Sequence, residues 1–333
     1  MIGGTEPMTT RRDALAGLGT MLAAPLAAPS VMAQAAWTPT RPLRMFVTYP
    51  PGGVTDIVGR LSADALTAEL GQPVVVENRA GAGGNVGMQA ALAAPADGTT
   101  LLLGTVALFG VNPILYANSG VDGVRDFVPL GMLGEAANVL SAVPARLQAR
   151  SVAELVAEGR RRTLTYGSVG NGSSSHLSAV LMLKTLGLEA THVPYRGSAP
   201  LVTAMLAGEV DFGFDTTATS TAHVQSGAFR ALGVTTGRRS SALPEVPTMQ
   251  EAGLPGYALS VWFGVFAPAA TPPGPRARLA EAMARIQTPA LAEKLRRAFV
   301  DPLTVPSAEL PGWFAADAAR WQLVARDAGI GIN

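Results

Sequence analysis

Short, uniformly apolar runs alternate with amphipathic stretches through almost the whole of this chain. "LRMFVTY" (43–49) precedes a stretch from about Asp56 to Leu70, where Ile57, Val58, Leu61, Ala65, Leu66 and Leu70 recur at helical spacing. "PVVVEN" (73–78) precedes "AGAGGNVGMQAALAA", and "TTLLLGT" (99–105) precedes "ALFGVNPILY". A strand that is apolar without alternation must be covered on both faces, and strand–helix–strand order supplies that cover. The pattern resumes with "FVPLGML" and "NVLSAVPA", which lead to Ser151-Val152-Ala153-Glu154, a capping box opening a short helix. "LTYGSVG" (164–170), "ATHVPYRG" (190–197), "VDFGFDTT" (210–217) and "RALGVTT" (230–236) then follow in turn. The expectation is an α/β protein of two tandem units, roughly a hundred residues each, arranged as a clamshell. A tail returns with a second capping box, Thr248 to Glu251, the aromatic run "YALSVWFGVFAP", and two helices near 275–287 and 308–328.

The first 35 residues are set aside from the fold. Arg11 and Arg12 precede an uncharged Ala/Leu/Gly/Pro-rich run, which ends in the small-x-small site Ala33-Gln34-Ala35. That is the order of a secretory signal, and the arginine pair points to twin-arginine export. The run is too short and proline-broken for a membrane anchor. The chain has no cysteine and a net charge of +1. Thiolate metal sites and cysteine nucleophiles are thereby excluded, and near-neutrality argues against a nucleic-acid or anionic-membrane surface. His176, His192 and His223 fall in no metal-ligand spacing, so no metal and no cofactor is expected.

The chemistry is expected in the loops that follow the strands, because ligands of open α/β sheets sit beyond the strands' carboxyl ends. In "YPPGGVTDIVGRL" (49–61), Pro50 and Pro51 stiffen the turn, while Gly52 and Gly53 let backbone amides approach a ligand. Thr55 or Asp56 is placed to cap the helix, whose N-terminus favours an anion. "SVGNGSSSHL" (168–177) repeats the arrangement with Asn171, Ser173, Ser174 and His176. "YRGSAP" (195–200) does so with Arg196, Gly197 and Ser198, where Ser198 reads as the N-cap. Asp215 closes a fourth cluster, "FDTT". A small carboxylate suits such loops better than a triphosphate. Tight turns without a ligand are the plain alternative, and Arg196 could instead pair with Asp215 or Glu209. His192 and Met182 read as packing; Trp262 and Phe263 could wall the cleft, but at strand-like spacing read as core.

Two enzyme readings can be weighed. "GAGGNVG" (81–87) resembles a dinucleotide fingerprint, but its last glycine falls one residue late and Asp97 is too near to meet a ribose. The serines around His176 invite a hydrolase, yet no G-x-S-x-G elbow is present.

"YPPGGVTD", "GQPVVVENRAGAGGNVG", "DGTTLLLGT", "GNGSSSHL", "VPYRGSAPLVTAMLAGEVDFGFD" and "VWFGVFAPAATP" stand in an order that resembles the Bug receptors. These are the TctC-like periplasmic solute-binding proteins of tripartite tricarboxylate transporters. The resemblance runs from about Leu43 to Gly329. It implies a type II periplasmic-binding-protein fold, each lobe a mostly parallel sheet with helices on both faces. Residues 36–135 and 241–333 would form the first lobe and 136–240 the second. By the same resemblance Gly53, Thr55 and Asp56 would clamp a carboxylate from the first lobe. Asn171, Ser173, Ser174, His176, Arg196, Gly197, Ser198 and Asp215 would face it from the second. The implied ligand is a di- or tricarboxylate, an amino acid or an aromatic acid. The implied partner is a membrane transporter or, alternatively, a sensor kinase, and the protein is expected to be a periplasmic monomer without enzymatic activity. The chain departs from the pattern in "TTATSTAHV", which lacks a proline, and at Val54.

Overall fold

The computed structural model describes residues 1–4 and 37–329; the rest of the export signal read in residues 1–35, and the last four residues, lie outside the described residues. From Trp37 onward the chain forms one compact unit. Its first strands and helices are β1 (Leu43–Val47), α1 (Val54–Leu70), β2 (Val74–Asn78), α2 (Asn85–Ala93) and β3 (Thr100–Thr105). Two short helices, α3 (Asn112–Leu115) and α4 (Gly123–Asp126), lead to the long strand β4 (Phe127–Ala142). Then come α5 (Val152–Gly159), β5 (Leu164–Ser168), α6 (Ser174–Leu186), β6 (Ala190–Pro194) and α7 (Ser198–Ala207). β7 (Phe212–Thr216), α8 (Thr217–Gln225) and β8 (Arg230–Val234) follow. The tail holds β9 (Ser260–Pro268), α9 (Pro273–Arg285), α10 (Pro289–Arg297), β10 (Asp301–Pro302) and α11 (Leu310–Asp327).

β1 and β3 are covered on both faces, as their lack of alternation requires, but β2 is not: it is the edge strand of the sheet and leaves Val75 48% exposed. Leu43, Met45 and Val47 of β1 pack with Val58 and Leu66 of α1, Leu279 and Met283 of α9, and Leu295 of α10. Phe46, pointing the other way, joins Met88 of α2, Phe109, Trp262, Phe266 and Trp321 of α11. Phe109 stacks on Phe266 at 4.4 Å between ring centroids and meets Phe314 edge-on at 4.9 Å. Trp262 and Phe263 are fully buried, as the packing reading expected.

The sheet is mixed, which corrects the mostly parallel sheets expected. β1 pairs in parallel with β2 and β3, and β5 with β6 and β7. The remaining pairings are antiparallel: β9 lies between β3 and β4, and β4 also pairs with β7, β8 and β10. The run containing Trp262 is therefore a central strand returning from the tail, antiparallel to both of its neighbours. The two runs before Ser151 are likewise one strand of 16 residues. Gly134, near the middle of this strand, is needed for close approach. A Cβ there would stand 2.5 Å from Val300 Cγ1 and 2.8 Å from the Asp301 carbonyl oxygen.

In the tail, three helices replace the two expected. Thr288 accepts a hydrogen bond from the Leu291 amide and starts α10 anew, with Pro289 in its first turn. Ser151 caps α5 as read. Thr248 and Glu251 make both bonds of a capping box but close a turn, with no helix following.

Candidate functional site

Strand register brings the loops of both parallel groups to one level. Thr105, the last residue of β3, pairs with Phe263, which pairs with Gly134 of β4. Thr216, the last residue of β7, pairs with Asn138 of β4. β3 runs parallel to β4 and β7 antiparallel to it, so the carboxyl ends of the two groups approach from opposite directions. They stop four positions apart along β4, about 13 Å at the usual strand rise. The helices that follow these strands begin there. α1, α7 and α8 have no side-chain cap, so their first-turn N–H groups are left for another acceptor, whereas the Asn85 and Val86 amides of α2 are taken by the carbonyls of Ala82 and Gly81.

Unpartnered buried polar atoms gather at the same edge: Thr48 Oγ1 after β1, Thr105 Oγ1, Asn138 Oδ1 and Asp215 Oδ2. A buried polar atom without a partner costs about 1–3 kcal/mol, so such a cluster marks where a bound molecule or water can complete the bonding.

The first loop is held shut by its own side chains. Asp56 does not cap α1, contrary to the sequence reading; Gly53 is the N-cap. The Asp56 carboxylate reaches back to accept from the Gly52 amide at 3.0 Å, Asn78 Nδ2 at 2.9 Å and Arg60 Nε at 3.0 Å. Asn78 also donates to the Tyr49 carbonyl at 3.0 Å. Burial alone would raise the Asp56 pKa, but the bonds from Arg60, Gly52 and Asn78 outweigh it and hold the carboxyl below its usual range. With its oxygens thus engaged, Asp56 positions the loop. Thr55 is buried beside it in the first turn of α1. Gly52 has φ +88°, where other residues are strained, whereas Gly53 has φ −81° and a Cβ there would meet nothing within 4 Å.

The second loop is held by neutral groups. Ser173 caps α6, accepting from the His176 amide at 3.2 Å and donating to the Gly170 carbonyl at 2.6 Å. His176 Nδ1 accepts from the Gly172 amide at 3.1 Å, which leaves the ring proton on Nε2. The ring lies flat on His192, 4.1 Å between centroids, and His192 in turn on Tyr166 at 4.8 Å. Burial, reinforced by His192, pushes His176 down to about 4, so the stack is neutral at pH 7. Ser174 is half-buried and Asn171 exposed at the loop tip.

Ser198 is not the cap of α7; Gly197 is. The Ser198 hydroxyl instead donates to Asp215 Oδ1 at 2.8 Å, an oxygen that also accepts from the Thr216 amide at 2.7 Å. Asp215 is 3% exposed, and burial pushes its carboxyl up to about 6. Arg196 is exposed and makes no ion pair among the described residues; Glu209 accepts from the Tyr195 hydroxyl instead.

Sequence reasoning missed Asn78, Asn138 and Thr105. Asparagine is disfavoured in strands, so Asn78 at the end of "VVVEN" and Asn138 inside β4 were legible signals. His192 does more than fill space, since its Nε2 lies 2.7 Å from Ser168 Oγ. That pair is no nucleophile–base couple, because Ser168 is fully buried and no carboxylate orients His192. A separate cavity of about 350 Å³ beside α2 is lined by Asn85, Gln89, Tyr116 and Ser119 among others, and by none of the predicted site residues.

Residues 58–330 match the family model described as "Tripartite tricarboxylate transporter family receptor". The chain is similar to Protein BugT of Bordetella pertussis, 35% identical over 295 residues, covering 87% of this chain and 90% of BugT. Among solved structures it is similar to R. palustris Rpa4515 with adipate, at 35% identity and a TM-score of 0.76, covering 88% of this chain and 99% of that one. MatC from Rhodopseudomonas palustris with bound malate is similar at 28% identity and a TM-score of 0.71, covering 86% of this chain and 99% of that one.

Proposed function

Because the chain belongs to the tripartite tricarboxylate transporter family of receptors, we propose that it captures a small dicarboxylate between its two sets of strand-end loops and delivers it to a membrane transporter. The family is one of periplasmic solute-binding receptors, so the chain is a receptor and not an enzyme. What carries the reading is the convergence of uncapped helix N-termini from both parallel groups on the middle of β4. An anion placed there would be met by N–H groups and helix dipoles without needing a lysine or arginine. That two similar structures hold adipate and malate supports a small dicarboxylate as the ligand.

In this reading the chain is exported by its N-terminal signal and works in the periplasm. The strands β1–β3 with the tail form one lobe and β5–β8 the other, joined through β4 and β9. A ligand touching both sets of loops does so fully only when the lobes are closed, so binding selects the closed state. Gly53, Gly197 and the α6 amides beyond Ser173 contact the anion directly, with Arg196 adding charge from the rim. Asp56 and Thr55 hold the first loop in shape.

A thermal-shift panel of mono-, di- and tricarboxylates, amino acids and aromatic acids tests it. A ligand at a hundred times its dissociation constant stabilises the fold by about 2.7 kcal/mol. Gly53→Val then locates the site. Its φ suits any residue and the added side chain has open space, so the variant folds and a lost ligand shift reports lost contact. An unchanged shift would remove the first loop from the site.

A further inference from the structure

Asp215 is a buried acid with half of its carboxyl left over. Oδ1 is saturated by the Ser198 hydroxyl and the Thr216 amide, while Oδ2 is buried with no partner. No cation among the described residues pairs with it. Its cross-strand neighbour on β4 is Val139, which pairs on its other side with Val234 of β8. α7 presents Ser198, and α8 opens with Thr217, whose hydroxyl donates to the Phe299 carbonyl. β5 contributes Tyr166 opposite Phe212. α6, which also packs on β7, carries His176, bound to the Gly172 amide, and Lys184, ion-paired with Asp327. His223 lies in the last turn of α8, against Phe229. Arg196, two residues before Ser198, is exposed.

Such an oxygen has two ways to find a partner: as an anion it needs a donor, and as an acid it needs an acceptor. The ligand of the proposed function is an acceptor, a carboxylate held by N–H groups, and a second negative charge beside it would repel it. We propose that Asp215 meets the ligand as a neutral carboxylic acid, donating its Oδ2–H to a ligand carboxylate oxygen, so that capture of each anion takes up one proton. The proton comes from solvent, no covalent bond to carbon changes, and release of the anion returns it. Burial already places the acid close to neutrality, so the proton is cheaply acquired. The inference rests on the carboxylate-receptor reading and adds to it a charge rule: dianions enter with partial neutralisation, and their capture weakens in alkali.

Isothermal titration calorimetry of the whole mature protein with adipate and with malate tests this at pH 7.5 in phosphate and in Tris. Both acids are full dianions there, so the ligand itself contributes no proton. The expected result is a binding enthalpy that differs between buffers by the amount corresponding to nearly one proton. The dissociation constant should rise about tenfold per pH unit from 7 to 8. Asp215→Asn, whose Nδ2 still donates but cannot titrate, should bind with no buffer dependence and an affinity flat with pH. Equal enthalpies in the two buffers for the unmodified protein would overturn the proposal and leave the receptor reading standing. Proton uptake that persists in Asp215→Asn would also overturn it. If neither acid binds nor shifts the melting temperature, while the other acids of the panel also fail, the receptor reading falls and this proposal with it.

Discussion

Asp211 and Asp215 bracket the same strand, β7, and both are buried, yet they are treated in opposite ways. Asp211, at the amino end, accepts from Arg162 through both oxygens at 2.9 and 3.1 Å, and from the Thr165 amide at 2.7 Å and hydroxyl at 3.0 Å. Burial tends to raise its pKa, but Arg162 and Thr165 more than reverse that, and the carboxyl lies below the usual range. Asp215, at the carboxyl end, has no cation, one idle oxygen, and a pKa pushed upward. Asp211 has its bonding complete; Asp215 is left with unused bonding capacity. That contrast locates function in a way that burial alone does not, since the two residues are 1% and 3% exposed.

The contrast can be broken most directly by mutation. Asp211→Ala takes the acceptor from the Thr165 amide and one partner from Arg162, which keeps Glu158, and should cost about 1–3 kcal/mol, whereas Asp215→Asn should cost less than about 1 kcal/mol near pH 7, because it also removes a buried charge. Urea unfolding of the two variants decides it, and equal losses would erase the distinction between the two acids.

Acid sharpens the comparison next. Between pH 6.5 and 4 the unfolded chain protonates His176 while the native chain refuses the proton, so the native state loses about 3 kcal/mol. Asp215 runs the other way: its native form takes a proton near pH 6, the unfolded form not until about 3.8, so acid stabilises the native state by about 3 kcal/mol. The two nearly cancel in the unmodified protein. Asp215→Asn removes the gain and should uncover a stability curve that falls by about 3 kcal/mol across this range, with His192, also lowered by burial, adding to the fall. A flat curve in the variant would mean that the imidazole stack does not resist protonation. Below the ordinary aspartate range Asp56 joins in: its lowered pKa gives stability that is lost as the pH falls through the folded value.

The smallest effect separates the two loops from each other. Ser173→Ala removes the only side-chain cap in the second loop and should cost about 1 kcal/mol in chemical unfolding. A cost near zero would show that the His176 bond to Gly172 holds the loop unaided.

Much of this was legible in the residues. The first three parallel strands follow from apolar runs without alternation and the second three from strand–helix order, and the loops were identifiable because glycine, serine and asparagine crowd the strand ends. The antiparallel insertion of β9 was not legible, since periodicity describes how a strand is covered and not which strand lies beside it. The need for a glycine at position 134 was not legible either, because the contact with Val300 that requires it is remote in sequence. At the site, the sequence named Asp56 and Ser198 but misjudged their partners. Both were read as helix caps because they sit near helix starts; in the structure each turns to a residue remote in sequence, Asn78 for one and Asp215 for the other.

β4 pairs with β9 along its first two-thirds and with β7 and β8 along the rest. Adding or deleting a single residue inside 127–142 would turn every later side chain of that strand to the opposite face, and so set the two groups of loops on mismatched sides of the sheet. Length variation among descendants of this chain should therefore be confined to stretches such as 143–151 and 235–259, and a one-residue insertion after Ala136 should abolish the folded protein where the same insertion after Gly237 is tolerated.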